Sequence, residues 1–216
     1  MAPSGDNTEV DDRVLDAGPF SGWWEEARDA IRGAAPSVVP CDGCTACCTA
    51  SQFVHIGPDE SDTLAHIPRR LLFPAPLRPP GHLLLGYDEH GRCPMLRDGK
   101  CSIYPHRPQA CRTYDCRVFA ATGVGLPEHP HIDRQARRWA FRTPTEQDRT
   151  RARAARAAAA FLEAHPEVLP TGAPPLDATR HAVLALEISD LFAGDDAPAD
   201  EQVRARVAAA RGGGAP

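Results

Sequence analysis

Four thiols stand within eight residues, Cys41-Asp-Gly-Cys44-Thr-Ala-Cys47-Cys48. The other four, Cys93, Cys101, Cys111 and Cys116, follow between positions 93 and 116, and no cysteine lies outside these two groups. A C-x-x-C turn lets two thiolates reach one metal ion from a tight loop, and both Cys41/Cys44 and Cys44/Cys47 have that spacing. The same C-x2-C-x2-C run is the local spacing used around iron–sulfur clusters. A structural zinc site takes four ligands in a tetrahedron. Eight cysteines therefore count as two zincs, two cubane clusters, or a shared cluster with bridging thiolates. Cys48, adjacent to Cys47, points another way and suits a second site.

The residues around the second group set how it can be presented. Cys93 and Cys101 flank an Asp98-Gly99 turn and can meet across a hairpin. Pro108 can open a short helix that carries Cys111 in its first turn, where the helix dipole favours a thiolate. Cys111 and Cys116 are five apart and fall on neighbouring helical faces.

Read together, Cys41-x-x-Cys44-x-x-Cys47-Cys48, Cys93-Pro94-x-Leu96, Cys101-Ser102-Ile103-Tyr104, Arg107-Pro108 and Cys111-Arg112 resemble the YkgJ-type cysteine-cluster family, described as a zinc- or iron-chelating domain. The resemblance covers about residues 37–117. It implies metal binding by Cys41, Cys44, Cys47, Cys48, Cys93, Cys101, Cys111 and Cys116, all of which match, and it implies no settled reaction. Arg107 and Arg112 match too. They can offset the charge of a multi-thiolate site or hold an anion; the plainer expectation is a local ion pair with Asp98 or Asp115.

The elements that must position these residues are short. Pro (22) and Gly (17) make much of the chain loop, and a metal staple supplies what burial does not. Residues 1–19 are acidic and without periodicity, and read as disordered. Ser21 is the expected N-cap of a helix from about Gly22 to Arg32, with Trp23 and Trp24 packed against the cysteine unit. Phe53–Ile56 reads as a strand, and a helix opened by Pro58 runs to about His66. Residues 68–81, with five prolines, read as a linker or flap. Leu83–Tyr87 is a strand whose return partner in a hairpin is expected at Arg92–Leu96. From Thr143-Pro144-Thr145-Glu146, taken as a capping box, a helix runs to about His165. Further helices are expected over about 178–192, capped by Asp177, and about 200–211.

Charge and missing motifs narrow the function. The chain carries −5 overall and a single lysine, Lys100, a bias that fits GC-rich bacterial coding. The run Arg149, Arg151, Arg153, Arg156 reads as a solvated helix face, and the negative charge argues against a nucleic-acid partner. There is no secretory signal and no stretch of 18 apolar residues, so a cytoplasmic protein without a membrane partner is expected. In a reducing compartment clustered cysteines favour metal over disulfides. G-x-S-x-G, P-loop and G-x-G-x-x-G motifs are absent, and C-x2-C-x2-C departs by one residue from the spacing of radical S-adenosylmethionine enzymes. His129 and His131 flank Pro130 and read as loop histidines; His55 and His106 lie nearer the cysteines in sequence and suit a spare ligand or outer-sphere role.

The expected fold is α+β: an irregular metal-stapled cysteine-cluster domain with short strands over 20–120, a helical extension over 121–194, and a short helix and disordered tail over 195–216. The expected cofactor is zinc, iron or an iron–sulfur cluster. Cys41, Cys44 and Cys47 are expected in one site, Cys48, Cys93 and Cys101 in or near the other, with Cys111 and Cys116 completing them. Two alternatives stand beside metal chelation: an iron–sulfur redox or modifying enzyme, and a protein-interaction module with purely structural zinc.

Overall fold

Each apolar stretch of the sequence is short, and the chain answers with three small cores rather than one large one. The structure, a computed structural model, describes residues 13–32, 34–35, 39, 41, 43–76, 78–172, 175–194 and 196–212. The chain runs β1 (Leu15–Pro19), α1 (Phe20–Ile31), β2 (Val54–Ile56), α2 (Ser61–His66), β3 (Leu72–Pro74), β4 (Leu83–Leu85), β5 (Leu96–Arg97), β6 (Lys100–Cys101), α3 (Gln109–Thr113), α4 (Arg117–Thr122), α5 (Pro130–Arg137), β7 (Trp139–Arg142), α6 (Glu146–Ala164), α7 (Ala178–Ile188) and α8 (Asp200–Gly212). It is an α+β fold with short strands and a helical C-terminal part.

The first core joins the two ends of the sequence. Phe20, Trp23 and Ala27 of α1 pack with Cys116, Val118, Phe119, Ala121, Ile132, Ala155 and Leu186. The helical extension is thus one body with α1 and α4 at this core, not an appendage. A second core lies among α6, α7 and α8, with Ala158, Leu184, Ile188, Val203 and Val207 fully or nearly buried. The third is small: Ile56, Ile67, Leu85, Met95 and Ile103 under a three-stranded sheet, with Cys93 and Cys101 packed against it.

Several local expectations are corrected by tertiary contacts. Leu15–Pro19, placed in the disordered terminus, is a strand that pairs parallel with β7, Leu15 opposite Trp139 and Asp16 opposite Ala140; residues 1–12 lie outside the described residues. Ser21 does not cap α1. The helix begins at Phe20 after Pro19, and the Ser21 N–H donates to Asp148 Oδ1 at 2.8 Å. The capping box of α6 is Thr145 with Asp148, two residues on from the expected Thr143 with Glu146. Asp148 takes the Thr145 N–H as well, at 3.0 Å, so one carboxylate serves the starts of both α1 and α6. The Thr145 hydroxyl, which also donates to it, together with the Ser21 N–H holds its pKa below the usual carboxylate range.

The proline-rich stretch is partly ordered as β3, and β4 pairs antiparallel with both β2 and β3. Pro74 is tolerated because β3 is an edge strand. Arg92–Leu96 is therefore not the return strand of Leu83–Tyr87. Asp88 closes a turn instead, its Oδ1 accepting the N–H groups of His90 and Arg92. The helices capped by Asp177 and beginning at Asp200 stand where expected, while residues 213–216 of the tail lie outside the described residues.

Candidate metal centre

All eight cysteines are free thiols, and the elements above sort them into two sets of four. Cys41 and Cys44 share a tight turn in which the Cys44 N–H donates to the Cys41 carbonyl at 2.9 Å. Gly43 takes a φ of 73° there, a left-handed conformation that glycine adopts without cost. Cys47 and Cys48 open a single 3-10 turn, Cys47–Thr49, pinned by Thr49 Oγ1 donating to the Thr45 carbonyl. Cys116 stands at the start of α4, buried in the first core.

Electrostatics gives the grouping. Burial pushes the Cys47 thiol up; the largest contributions after that come from Cys116, Cys44 and Cys41, with its chain neighbour Cys48 last. Burial likewise raises Cys41 to about 11, with Cys44 next. Cys116 is raised to about 12, chiefly by burial, and Cys41 and Cys44 are the thiols it feels. Cys41, Cys44, Cys47 and Cys116 therefore form one set.

The second set forms against the sheet. The Cys93 N–H donates to the Cys48 carbonyl at 2.7 Å, which ties the two cysteine groups together through the backbone. The β5–β6 hairpin turns through Asp98 and Gly99, at φ 49° and 72°, the two left-handed residues of a tight hairpin turn. This brings Cys101 back toward Cys93, as expected: Cys101 is the thiol that raises Cys93 after burial does. Cys111 sits in α3, opened by Pro108. Burial raises Cys111 to about 12, followed by Cys48, Cys93 and Cys101. Cys48 is raised to about 12 by burial, then by Cys93 and Cys101, with Cys44 and Cys41 behind them. The dipole of a five-residue helix does not make Cys111 a ready thiolate; burial and three neighbouring sulfurs outweigh it.

The surroundings of each set are specific. Trp139 Nε1 donates to Cys116 Sγ at 3.3 Å, and its side chain was not singled out from the sequence. Its signal was faint: one tryptophan in an alternating stretch ahead of a capped helix. Asp115, next to Cys116, forms a nearly buried pair with Arg117 at 2.7 Å and accepts Trp23 Nε1–H at 2.9 Å. Trp23 thus packs beside the cysteines as expected. Trp24 does not: it donates to Ser189 Oγ and lies between the guanidinium groups of Arg28 and Arg151.

Since Asp115 is taken by Arg117, it is not the partner of Arg107 or Arg112, and no ion pair joins either arginine to Asp98 among the described residues. Arg107 instead lies over the Tyr104 ring at 3.7 Å, its Nε buried without a hydrogen-bond partner. Its charge lowers the pKa of Cys41 in one set and of Cys111 in the other. Arg107 is a cation shared by both sets. Arg112 acts on Asp62.

Two of the histidines singled out have partners other than the thiols. His55 Nε2 meets His82 Nδ1 at 2.9 Å, and His106 Nδ1 lies 2.9 Å from Asp62 Oδ2. His129, half-buried, precedes α5, and His131 is exposed. The arginine run of α6 is an ion-paired surface: Arg149 reaches Glu146 and Arg151 reaches Glu25.

The donor chemistry fits zinc or iron. Sulfur-only sets of four suit tetrahedral Zn²⁺, iron or an iron–sulfur cluster and are poor hosts for Mg²⁺ or Ca²⁺. Four thiols that resist deprotonation when crowded together need a cation to become ligands, and Arg107 supplies only part of that charge. Among the described residues no three sulfurs all lie within 4.8 Å of one another. Among the described residues, the group of three potential ligands whose donor atoms all lie within 4.8 Å of one another is elsewhere, at Asp62, His66 and His106.

Residues 40–129 match the family model CxxCxxCC, described as "Putative zinc- or iron-chelating domain". The match runs from the first cysteine loop through α4 to the start of α5, somewhat beyond the stretch in which the sequence motifs lie. No curated protein and no solved structure matches the chain. Over residues 40–129 the chain is similar to this family.

Proposed function

We propose that this domain holds metal in two separate four-thiolate sites, Cys41–Cys44–Cys47–Cys116 and Cys48–Cys93–Cys101–Cys111. The observation that carries the reading is the pattern of mutual charge: Cys116, Cys44 and Cys41 act on Cys47 ahead of Cys48; Cys93 and Cys101 act on Cys48 ahead of Cys44 and Cys41; and Cys111 feels Cys48, Cys93 and Cys101. The first site staples the N-terminal cysteine loop to the helical core, and the second staples the same loop to the hairpin and the sheet. Cys47 and Cys48, adjacent in the chain, serve different sites, so the 3-10 turn they open is the junction.

The thiolates bind deprotonated, so each ion displaces protons held on the thiols. Around a divalent ion, four thiolates leave about two negative charges in excess. Arg107 offsets part of this for both sites, and the Trp139 N–H gives Cys116 a hydrogen bond that a thiolate accepts more strongly than a thiol. When bound, zinc would supply folding free energy; iron would add redox capacity. A cytoplasmic setting belongs to the reading because it keeps the thiols reduced. Among the described residues no helix is long and apolar enough to cross a membrane.

Anaerobic purification followed by elemental analysis and a visible spectrum tests the proposal. Two zinc ions per chain and no visible absorbance fit two structural sites. A brown, oxygen-sensitive protein with iron and sulfide in stoichiometric amounts fits clusters and moves the reading toward redox chemistry. Absence of stoichiometric metal, with folding unchanged under chelator, overturns it.

A further inference from the structure

We propose that Asp62, His66 and His106 form a third metal site, separate from the thiols, for a borderline divalent ion such as Zn²⁺ or Ni²⁺. Asp62 and His66 are four apart on α2 and therefore share a face. His106 comes from the 3-10 turn Tyr104–His106, which packs against α2. The three donor atoms lie within 4.8 Å of one another. His106 Nδ1 is 2.9 Å from Asp62 Oδ2, and His66 Nδ1 is 3.8 Å from Asp62 Oδ1. The carboxylate thus faces the same nitrogen edge of both rings. Two imidazoles and a carboxylate suit zinc, nickel, copper or iron, and imidazole nitrogen disfavours Mg²⁺ and Ca²⁺.

Two features of the geometry define what binding requires. The two rings are stacked, with centroids 3.6 Å apart and planes 7° from parallel. An ion must lie near both ring planes, so each ring has to tilt about its terminal torsion. All three side chains are exposed or partly exposed, at 69%, 40% and 36%, and have room to do so. The ion would replace the proton shared between His106 and Asp62 and would draw His66 Nδ1 from the Asp62 main-chain carbonyl, 2.8 Å away, to the carboxylate. Arg112 also acts on Asp62 and opposes a cation there. Open coordination positions remain for water or a further ligand.

The test uses the full chain with its own metal complement, dialysed against excess Zn²⁺ and then counted by elemental analysis. Wild type is expected to take up one further zinc, with the side-chain NMR signals of His66 and His106 shifting together. H66Q and H106Q should each weaken that uptake at least tenfold and D62N about tenfold, while an H129Q/H131Q control leaves it unchanged. Because the readout is a difference between wild type and surface variants of equal thiolate-bound metal, it stands whether or not the cysteine sites hold ions. No additional zinc in wild type, or uptake by H66Q and H106Q equal to that of wild type, overturns the proposal.

Discussion

Exchanging one sulfur in each set is the sharpest test of the two-site arrangement. Cys111 and Cys116 are five residues apart, flank Tyr114-Asp115, and are both raised to about 12, yet the two-site proposal puts them in different sites. Cys116→Ser should remove the metal bound with Cys41, Cys44 and Cys47 and leave the other site filled. Cys111→Ser should do the reverse. The sites anchor different cores, so the consequences should differ. Cys116 is buried with Trp23, Phe119 and Leu186, and its sulfur accepts the Trp139 N–H. A structural zinc contributes on the order of 10 kcal/mol of apparent stability, comparable with the whole folding free energy of a small domain, about 5–15 kcal/mol. Cys116→Ser should therefore loosen the helical core and red-shift the emission of Trp23 and Trp139. Cys111→Ser should loosen the small sheet core around Ile56, Leu85 and Met95, leaving the tryptophan signal near that of wild type. Elemental analysis with near-ultraviolet circular dichroism and hydrogen exchange separates the two patterns. If either variant loses all metal, the eight thiols hold one shared cluster; if both keep all of it, neither residue is a ligand.

Other outcomes follow from the same geometry. Each ion should release about four protons on binding near neutral pH, because Cys41, Cys48, Cys111 and Cys116, at about 11 to 12, hold their protons far above that range; affinity should rise with pH, and an indicator dye measures the release. Arg107→Gln should weaken metal retention in both sites about tenfold in a chelator competition, whereas Arg107→Lys keeps most of it; an effect confined to one site would refute the shared-cation role. Gly91→Ala should cost about 1–2 kcal/mol in denaturant unfolding, because Gly91 is left-handed at φ 73° and an added Cβ would collide with Ser51 Oγ beside the Cys93 loop. Thr145→Ala should cost about 1 kcal/mol by removing the side-chain cap of α6.

The sequence was most legible where chemistry is local. The Cys41–Cys44 turn, the Asp98-Gly99 hairpin, the Pro108 helix start and the Asp177 cap depend on neighbours within a few residues, and all stand as expected. It was least legible where a residue's partner lies far along the chain. β1 is a strand because β7 lies beside it, more than a hundred residues away, and no pattern in an acidic, proline-flanked stretch announces that. The α6 cap moved from Thr143 to Thr145 because Asp148 answers two helix starts at once, one of them at Ser21. The Asp62–His66–His106 group was visible only in part. Asp and His four apart on a helix was a usable signal, but His106 joins them only through the packing of the turn after Ile103 against α2.

The same contrast bears on why the cysteine loop is so dense. A self-contained C-x2-C-x2-C loop would need its fourth ligand nearby, and Cys48 is the nearest in sequence. On the two-site proposal Cys48 joins the other set, with Cys93 and Cys101, the thiols that act on it first, and the fourth place falls to Cys116 from the start of α4. Neither half of the sequence can then complete a site alone. Closing the first site requires α4 to dock on α1, and closing the second requires the β5–β6 hairpin to reach the Cys48 backbone. The last cysteine of each site comes from within one six-residue stretch, 111–116, so fixing either site restrains the other through the Asp115–Arg117 pair and the short α3. Metal occupancy of the two sites should consequently be cooperative. The coupling is modest, so each site still fills alone, and stepwise chelation followed by native mass spectrometry should show a one-metal form that is present but below the statistical level; a one-metal intermediate at the statistical level would mean that the stretch between Cys111 and Cys116 transmits nothing.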